Sequence, residues 1–427
     1  MIDVRAHLAR KPLLFDGGMG TYYKAKPGTE CEQGNLLDPA GVRKVHREYL
    51  AAGAEAIKTN TFGLPRMAAA RQPDWQVLAR AGWKLAAEAA VETGAAVFAD
   101  LGPAPDTEAA PAGSIYTAVA RCFVEQGAKN FLFETLSSDA GVLETVQAVK
   151  AQVPDAFVLV SFAVLPDGYT REGMYSKDLV RRMTESGIVD AVGFNCVSAP
   201  GAMRTLVQQL GSTALPLSVM PNAGYPVVTR TQVKYQGKPE YFAKELARIA
   251  AEGVRILGGC CGTTPAHIAA LRAALDSLPA VEKAAPAVQV STPEAPTVEK
   301  DDAFLRKLNA GKKVIAIELD SPKDADLTNY LAGAKRLQAA GADLLTIADC
   351  PIARARMDSS LVACRVHREL GMNVLPHMTC RDRNLNATKA LLLGLYAEGV
   401  REVLAITGDP IPTAERDTFN LPGSAGF

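Results

Sequence analysis

Twelve short apolar runs separated by amphipathic stretches predict an α/β chain, a (β/α)8 TIM barrel followed by a partial second (β/α) barrel. Each run is nearly continuous in apolar residues, as a strand buried on both faces must be. The stretches between runs repeat apolar residues at helical spacing, often with Gly near the end. The alternation breaks once, at a segment of different composition.

In chain order the first eight runs are LLFDGG, AEAIKTNTF, AAVFADLGP, AKNFLFETL, AFVLVSFAV, AVGFNCV, LPLSVMPNAG and VRILGGCCG, all within residues 1–278. Between them lie helical patterns such as GVRKVHREYLAAGA (41–54) and YFAKELARIAAEG (241–253). Eight β-then-α units are the number that closes a parallel barrel. Residues 279–300 are rich in Pro, Ala and charge with no apolar stripe, and read as an extended linker. Over residues 301–427 the alternation restarts with KVIAIELDSP, DLLTIADCP, MNVLPHMTC and VREVLAITGDP. Four units cannot close a barrel, and they leave an edge that wants pairing. The second domain is therefore expected to be a truncated half-barrel, either as a fragment or with its open side covered by something else.

Of 427 residues, 48% are hydrophobic and 22% charged, and 46 Lys+Arg balance 46 Asp+Glu. That balance points to neither nucleic acid nor an anionic membrane surface as partner. No stretch resembles a membrane span, and MIDVRAHLARKP lacks the apolar core of a signal peptide. The expected location is the cytoplasm, where the eight cysteines stay reduced and favour metal binding or catalysis over disulfides. The oligomeric state is left open.

In a parallel barrel the reactive face lies where strands end. The runs end in Asp16-Gly17-Gly18, Thr59-Asn60-Thr61, Asp100, Glu134, Asn195-Cys196, Asn222 and Cys260-Cys261. Cys196, Cys260 and Cys261 thus converge from strands six and eight. Three thiolates can hold one tetrahedral zinc at about 2.3 Å each and leave a fourth position open, the pattern of a catalytic site. Buried structural cysteines are an alternative. A redox role is a third, weakened because a disulfide between adjacent residues is strained. Cys31, Cys122, Cys350, Cys364 and Cys380 share no spacing and read as structural.

FDGGMGT (15–21), KTNTFG (58–63), FETL (133–136), GFNC (193–196), PNAG (221–224) and GGCCGTTP (258–265) occur in this order across residues 11–278. With them the barrel resembles the homocysteine S-methyltransferase family. The resemblance implies zinc-dependent methyl transfer to the homocysteine thiol, forming methionine. It implies Cys196, Cys260 and Cys261 as zinc ligands and catalytic residues, with Asn222 in the fourth position when substrate is absent. It also implies that the backbone at Gly17 and Gly18 receives the substrate carboxylate and that Asp16 and Glu134 hold its ammonium. Thr59 and Asn60 would line the pocket. Betaine-dependent members carry Tyr where this chain has Thr135, so a betaine donor is disfavoured. S-methylmethionine, S-adenosylmethionine and methyltetrahydrofolate remain as methyl donors.

IAIELDSPK (315–323), LLTIAD (344–349), PHMTCRDRN (376–384) and LAITGDP (404–410) resemble the N-terminal half of methylenetetrahydrofolate reductase, a flavin-dependent barrel. The resemblance implies Glu318 as an acid near folate, and Thr346, His377 and Asp409 as contacts to FAD if the barrel is completed. The family has aromatic residues around its glutamate, where this chain has Ile317 and Leu319. Two alternatives stand beside methyl transfer: a flavin-dependent reductase as the main activity, and a zinc-binding scaffold without catalysis.

Overall fold

The computed structural model describes residues 2–277 and 303–409, apart from 27, 108–109, 229–232, 236 and 380–382. The expected linker at 279–300, Cys380 and the tail from 410 lie outside these residues. The chain divides into two compact units, Met1–Val290 and Ser291–Phe427. No helix among the described residues is long and apolar enough to cross a membrane.

The first unit contains the eight expected strands. They are β1 (Leu13–Leu14), β2 (Ala56–Lys58), β3 (Ala96–Leu101), β4 (Asn130–Leu136), β5 (Phe157–Phe162), β6 (Ala191–Asn195), β7 (Leu217–Met220) and, as the eighth, Ile256–Leu257. A hairpin that pattern reading did not anticipate, β8 (Pro226–Val228) with β9 (Val233–Tyr235), intervenes, so the eighth barrel strand is β10. All barrel pairings are parallel, in the order β1-β10-β7-β6-β5-β4-β3-β2. The Phe15–Ala56 bridge joins β1 to β2 and brings the ends of the ladder together.

Alternation sorts the strand residues into two apolar clusters. Leu14, Ile57, Val97, Phe131, Val158, Val192 and Val219 pack outward against helices. Leu13, Phe15, Ala56, Phe98, Leu132, Leu159, Ala191, Met220 and Ile256 fill the barrel interior. Val4 and Leu8, on the helix Val4–Leu8, join the inner cluster. Following the same period toward the C-terminal strand ends, the next inward positions are Lys58, Asp100, Glu134, Ser161 and Asn195. All five are buried. A polar layer thus crowns an apolar one, and it defines the floor of the site.

The second unit is a parallel sheet in the order β11 (Ala316–Glu318), β12 (Leu344–Ile347), β13 (Val374–Thr379) and β14 (Leu404–Ile406). One face carries Leu345, Ile347 and Val374 and packs on Ala334, Val362, Ala363, Val366 and Leu395 of the flanking helices. The opposite face leaves Glu318 and Leu404 exposed. This sheet is partial, as its four runs required: among the described residues β11 and β14 each pair with one neighbour.

Candidate active site

Cys196 follows β6, and Cys260-Cys261 follow β10, with β7 between them. Their three Sγ atoms lie within 4.8 Å of one another. Cys196 Sγ and Cys261 Sγ are 3.8 Å apart. Tetrahedral zinc with bonds of about 2.3 Å separates its sulfurs by roughly 3.8 Å, the spacing that Cys196 and Cys261 already have, and the third thiol lies within reach of the same ion. Two adjacent residues, Cys196 (φ 59°) and Val197 (φ 35°), sit in the left-handed region, a backbone cost of the kind that concentrates at functional sites. Gly262 is also left-handed (φ 78°), and a Cβ there would fall 2.2 Å from Tyr235 Cβ. Close packing of β9 over the cysteine loop therefore demands glycine at this position.

The thiols act on one another. Cys261 is pushed down to about 3, first by hydrogen bonding from Cys196, then from Cys260, with Tyr235 also contributing. Hydrogen bonds to Cys260 and Cys261 drive the Cys196 thiol up, with burial adding to them. For Cys260 the hydrogen bond with Cys196 lowers the value, but Cys261 and burial outweigh it and bring it to about 11. Negative charge in this cluster is thus favoured at Cys261, towards which its neighbours donate, an arrangement that suits a cation. Asn222, just past β7, is buried, and its Oδ1 has no hydrogen-bond partner among the described residues. The Asn222 backbone N–H donates to Ser198 O at 3.1 Å.

The other side of the mouth is ionic. Asp16, following β1, accepts from the Lys58 backbone N–H through Oδ2 at 3.0 Å. Glu134 lies on β4, and the Lys58 ammonium stands 3.5 Å from Glu134 Oε2 and 4.0 Å from Asp16 Oδ1. Burial raises Asp16 to about 7 against the pull of Lys58. Burial likewise brings Glu134 to about 7, again opposed by Lys58. For Lys58 burial works downward, but Glu134 and then Asp16 more than reverse it. Sequence reading missed this lysine; a charged residue at an inward position of an otherwise apolar strand was the available signal.

Asn195 joins the two sides. Its Oδ1 accepts from Thr135 N and Ser161 Oγ, each at 2.8 Å. Its Nδ2 reaches Thr135 Oγ1 at 2.8 Å, Glu134 Oε2 at 3.2 Å and Cys260 Sγ at 3.9 Å. Sequence reading had noted Asn195 only as a strand end. Gly18 approaches Cys260 so closely that a Cβ would lie 2.6 Å from its carbonyl oxygen. The Gly18 N–H donates to Thr263 Oγ1 at 2.9 Å, so the backbone expected to receive a carboxylate also ties β1 to the cysteine loop. A Cβ at Gly17 would meet the same Thr263 Oγ1 at 2.6 Å.

Thr59 hydrogen bonds Thr61 at 2.6 Å and accepts from Asp100 N at 3.0 Å. Asn60 bonds Cys31 O at 2.9 Å and Asn35 Oδ1 at 3.0 Å, and accepts from Cys31 Sγ. Both side chains therefore hold the loop after β2. Cys31 Sγ donates to Asn60 Oδ1 at 3.1 Å, and burial pushes its thiol up to about 12.

In the second unit, Glu318, Thr346 and His377 share the face turned away from the helices, by register across β11, β12 and β13. Glu318 Oε2 lies 4.0 Å from His377 Nε2. Asp409 accepts from the Ile352 N–H at 2.7 Å.

The sequence profile of homocysteine S-methyltransferases matches residues 13–275. The chain belongs to the homocysteine S-methyltransferase family. Within this family it is similar to the homocysteine S-methyltransferase of Escherichia coli (strain K12), at 29% identity over 61% of this chain and 94% of the relative. It is also similar to methionine synthase of Mycobacterium tuberculosis (strain ATCC 25618 / H37Rv), at 31% identity over 66% of this chain. The match spans only 26% of that relative's length. Among solved structures, the metallated homocysteine methyltransferase of Escherichia coli superposes with a TM-score of 0.52 at 25% identity, over 63% of this chain and 99% of that one. A methylenetetrahydrofolate reductase profile matches residues 303–422.

Proposed function

We propose that the first unit methylates the thiol of homocysteine to give methionine, with zinc held by Cys196, Cys260 and Cys261. The carrying observation is the thiol cluster at zinc spacing on the mouth of a barrel of this family. The related Escherichia coli methyltransferase in its metallated form supports the same reading. Zinc bound there would supply the acidity that keeps a substrate thiol deprotonated near neutral pH.

The protein's own groups do the rest. Asp16 and Glu134 accept the substrate ammonium. Asn195 fixes Glu134 and faces Cys260, so amine and sulfur ends are located by one side chain. Asn222 would hold the zinc together with the three cysteines when no thiol is present, a role consistent with its unpartnered Oδ1. Gly17 and the turn after it receive the carboxylate. The new S–CH3 bond forms as the donor–CH3 bond breaks, and that electron pair leaves with the donor. Orientation of the two reactants is the main further contribution to rate.

Purified protein is tested for zinc by elemental analysis and for methionine formation with S-methylmethionine, S-adenosylmethionine and methyltetrahydrofolate in turn. Zinc near one equivalent and turnover with one donor support the reading. Absence of zinc together with absence of turnover refutes it. For the second unit, the reductase profile and the shared face of Glu318, Thr346 and His377 favour FAD contact, with Asp409, once further strands complete the sheet. Visible flavin absorption in the purified chain by itself would contradict that condition.

A further inference from the structure

We propose that Asp100 is a third ligand-facing carboxyl of the amine subsite, and that Lys58 is the cation that allows the barrel to hold it there. This rests on the homocysteine reading and deepens it.

Position comes first. Asp100 falls in the inward polar layer, on β3 between Lys58 of β2 and Glu134 of β4. Its backbone is clamped by two threonines: Asp100 N donates to Thr59 Oγ1 at 3.0 Å, and Asp100 O accepts from Thr61 Oγ1 at 2.8 Å. The carboxyl is 3% exposed, yet Oδ1 has no hydrogen-bond partner among the described residues. Asp16 Oδ1 is in the same condition at 1% exposure. Buried acceptors without partners are costly and rare, and two beside one site call for donors that the fold does not provide.

An alkylammonium group has three N–H donors. Asp16 Oδ1, Asp100 Oδ1 and a Glu134 oxygen offer three acceptors. Lys58 does not saturate them: its 3.5 and 4.0 Å pairings are longer than the roughly 2.7–2.9 Å of a tight charge-assisted bond. Charge agrees with this count: burial, and then the neighbouring Glu134, hold Asp100 well above the usual carboxylate range, a cost that a ligand cation would relieve. Without Lys58, three carboxyls would crowd a water-poor floor.

The test is calorimetric titration of the full-length protein, metal content measured, with homocysteine and with 4-mercaptobutyrate, the same thiol acid without its amine. Asp100→Asn should weaken homocysteine about tenfold or more and leave 4-mercaptobutyrate within about twofold. If Asp100→Asn does not fold, the smaller Asp100→Ser is held to the same two numbers. For Lys58 the readout is Tm: Lys58→Met should lower it, and Lys58→Met/Asp100→Asn should recover part of the loss, because the unpaired charge has been removed. Equal weakening of both thiols would mean a merely structural Asp100, and unchanged homocysteine affinity would mean no role in binding; either result overturns the assignment. Additive losses of Tm overturn the part given to Lys58. Wild-type protein that binds neither thiol brings down the methyl-transfer reading and this proposal with it. Wild type that binds homocysteine beside an Asp100→Asn protein that binds it equally well brings down this proposal alone.

Discussion

Replacing Asn195 with Ala should be among the most damaging single changes in the first unit. The side chain is fully buried and holds Thr135 N, Thr135 Oγ1, Ser161 Oγ and Glu134 Oε2. Thr135 has φ 62°, so its N–H is presented by a conformation that β-branched residues avoid. Truncation leaves that N–H and the Ser161 hydroxyl without their acceptor. Each orphaned buried donor costs about 1–3 kcal/mol, so two together cost roughly 2–6, and a midpoint near 4 kcal/mol is expected. Urea unfolding of wild type and variant, at matched metal content, measures it. Asn195→Asp keeps the shape and both acceptor contacts but sets a second carboxylate against Glu134. It should fold better than Asn195→Ala and still bind homocysteine poorly. A loss below about 1 kcal/mol for Asn195→Ala would show that Thr135 and Ser161 find other partners, and the bridging role would be refuted.

Three more outcomes are expected. Cys261→Ala should lower bound zinc and abolish methyl transfer, measured by elemental analysis and methionine formation; full activity would remove the cysteines from the chemistry. Glu134→Gln should reduce the preference for homocysteine over 4-mercaptobutyrate by about tenfold or more, the scale of one charge-assisted contact; an unchanged ratio of kcat/KM values would clear Glu134 of that role. His46 is fully buried, neither ring nitrogen has a partner among the described residues, and burial lowers it from 6.5 to about 4. Because the folded pKa is depressed, the unfolded chain takes up the proton first, and stability is lost as pH falls from about 6.5 toward 4. The full descent amounts to about 3 kcal/mol, so His46→Leu should flatten the stability–pH curve in that window; an unaltered slope would contradict the burial argument.

The barrel was legible because its strands are sandwiched between an inner and an outer apolar layer, which makes each run continuous in the sequence. Cys196 and the Cys260-Cys261 pair were legible for a related reason: thiols at strand ends stand out against such runs. Lys58 was hidden by the same continuity, since AEAIKTNTF reads as one run until the inward period is counted from Ala56. The bonding of Asn60 to Cys31 and Asn35 could not be read locally, because its partners lie 29 and 25 residues away. The hairpin of β8 and β9 was missed because VVTRTQVKY sits in a connection where no further strand was sought. Its contribution to the site, Tyr235 against Gly262 and Cys261, follows only from tertiary packing.

The Asn195 amide touches Glu134 Oε2 at 3.2 Å and Cys260 Sγ at 3.9 Å from the same nitrogen. Carboxylate and thiol are therefore held at a fixed, short span, and the span works as a ruler. A thiol amino acid is gauged by the number of carbons between its sulfur and its amine. On the proposed reading cysteine, one methylene shorter than homocysteine, could present its sulfur to the zinc or its ammonium to the acids, and would have to stretch to do both. Selection among thiols would then need no pocket wall that clashes with the wrong one. It would come from the distance between two anchors, and any change that lets Asn195 swing would blur the gauge before it emptied the site.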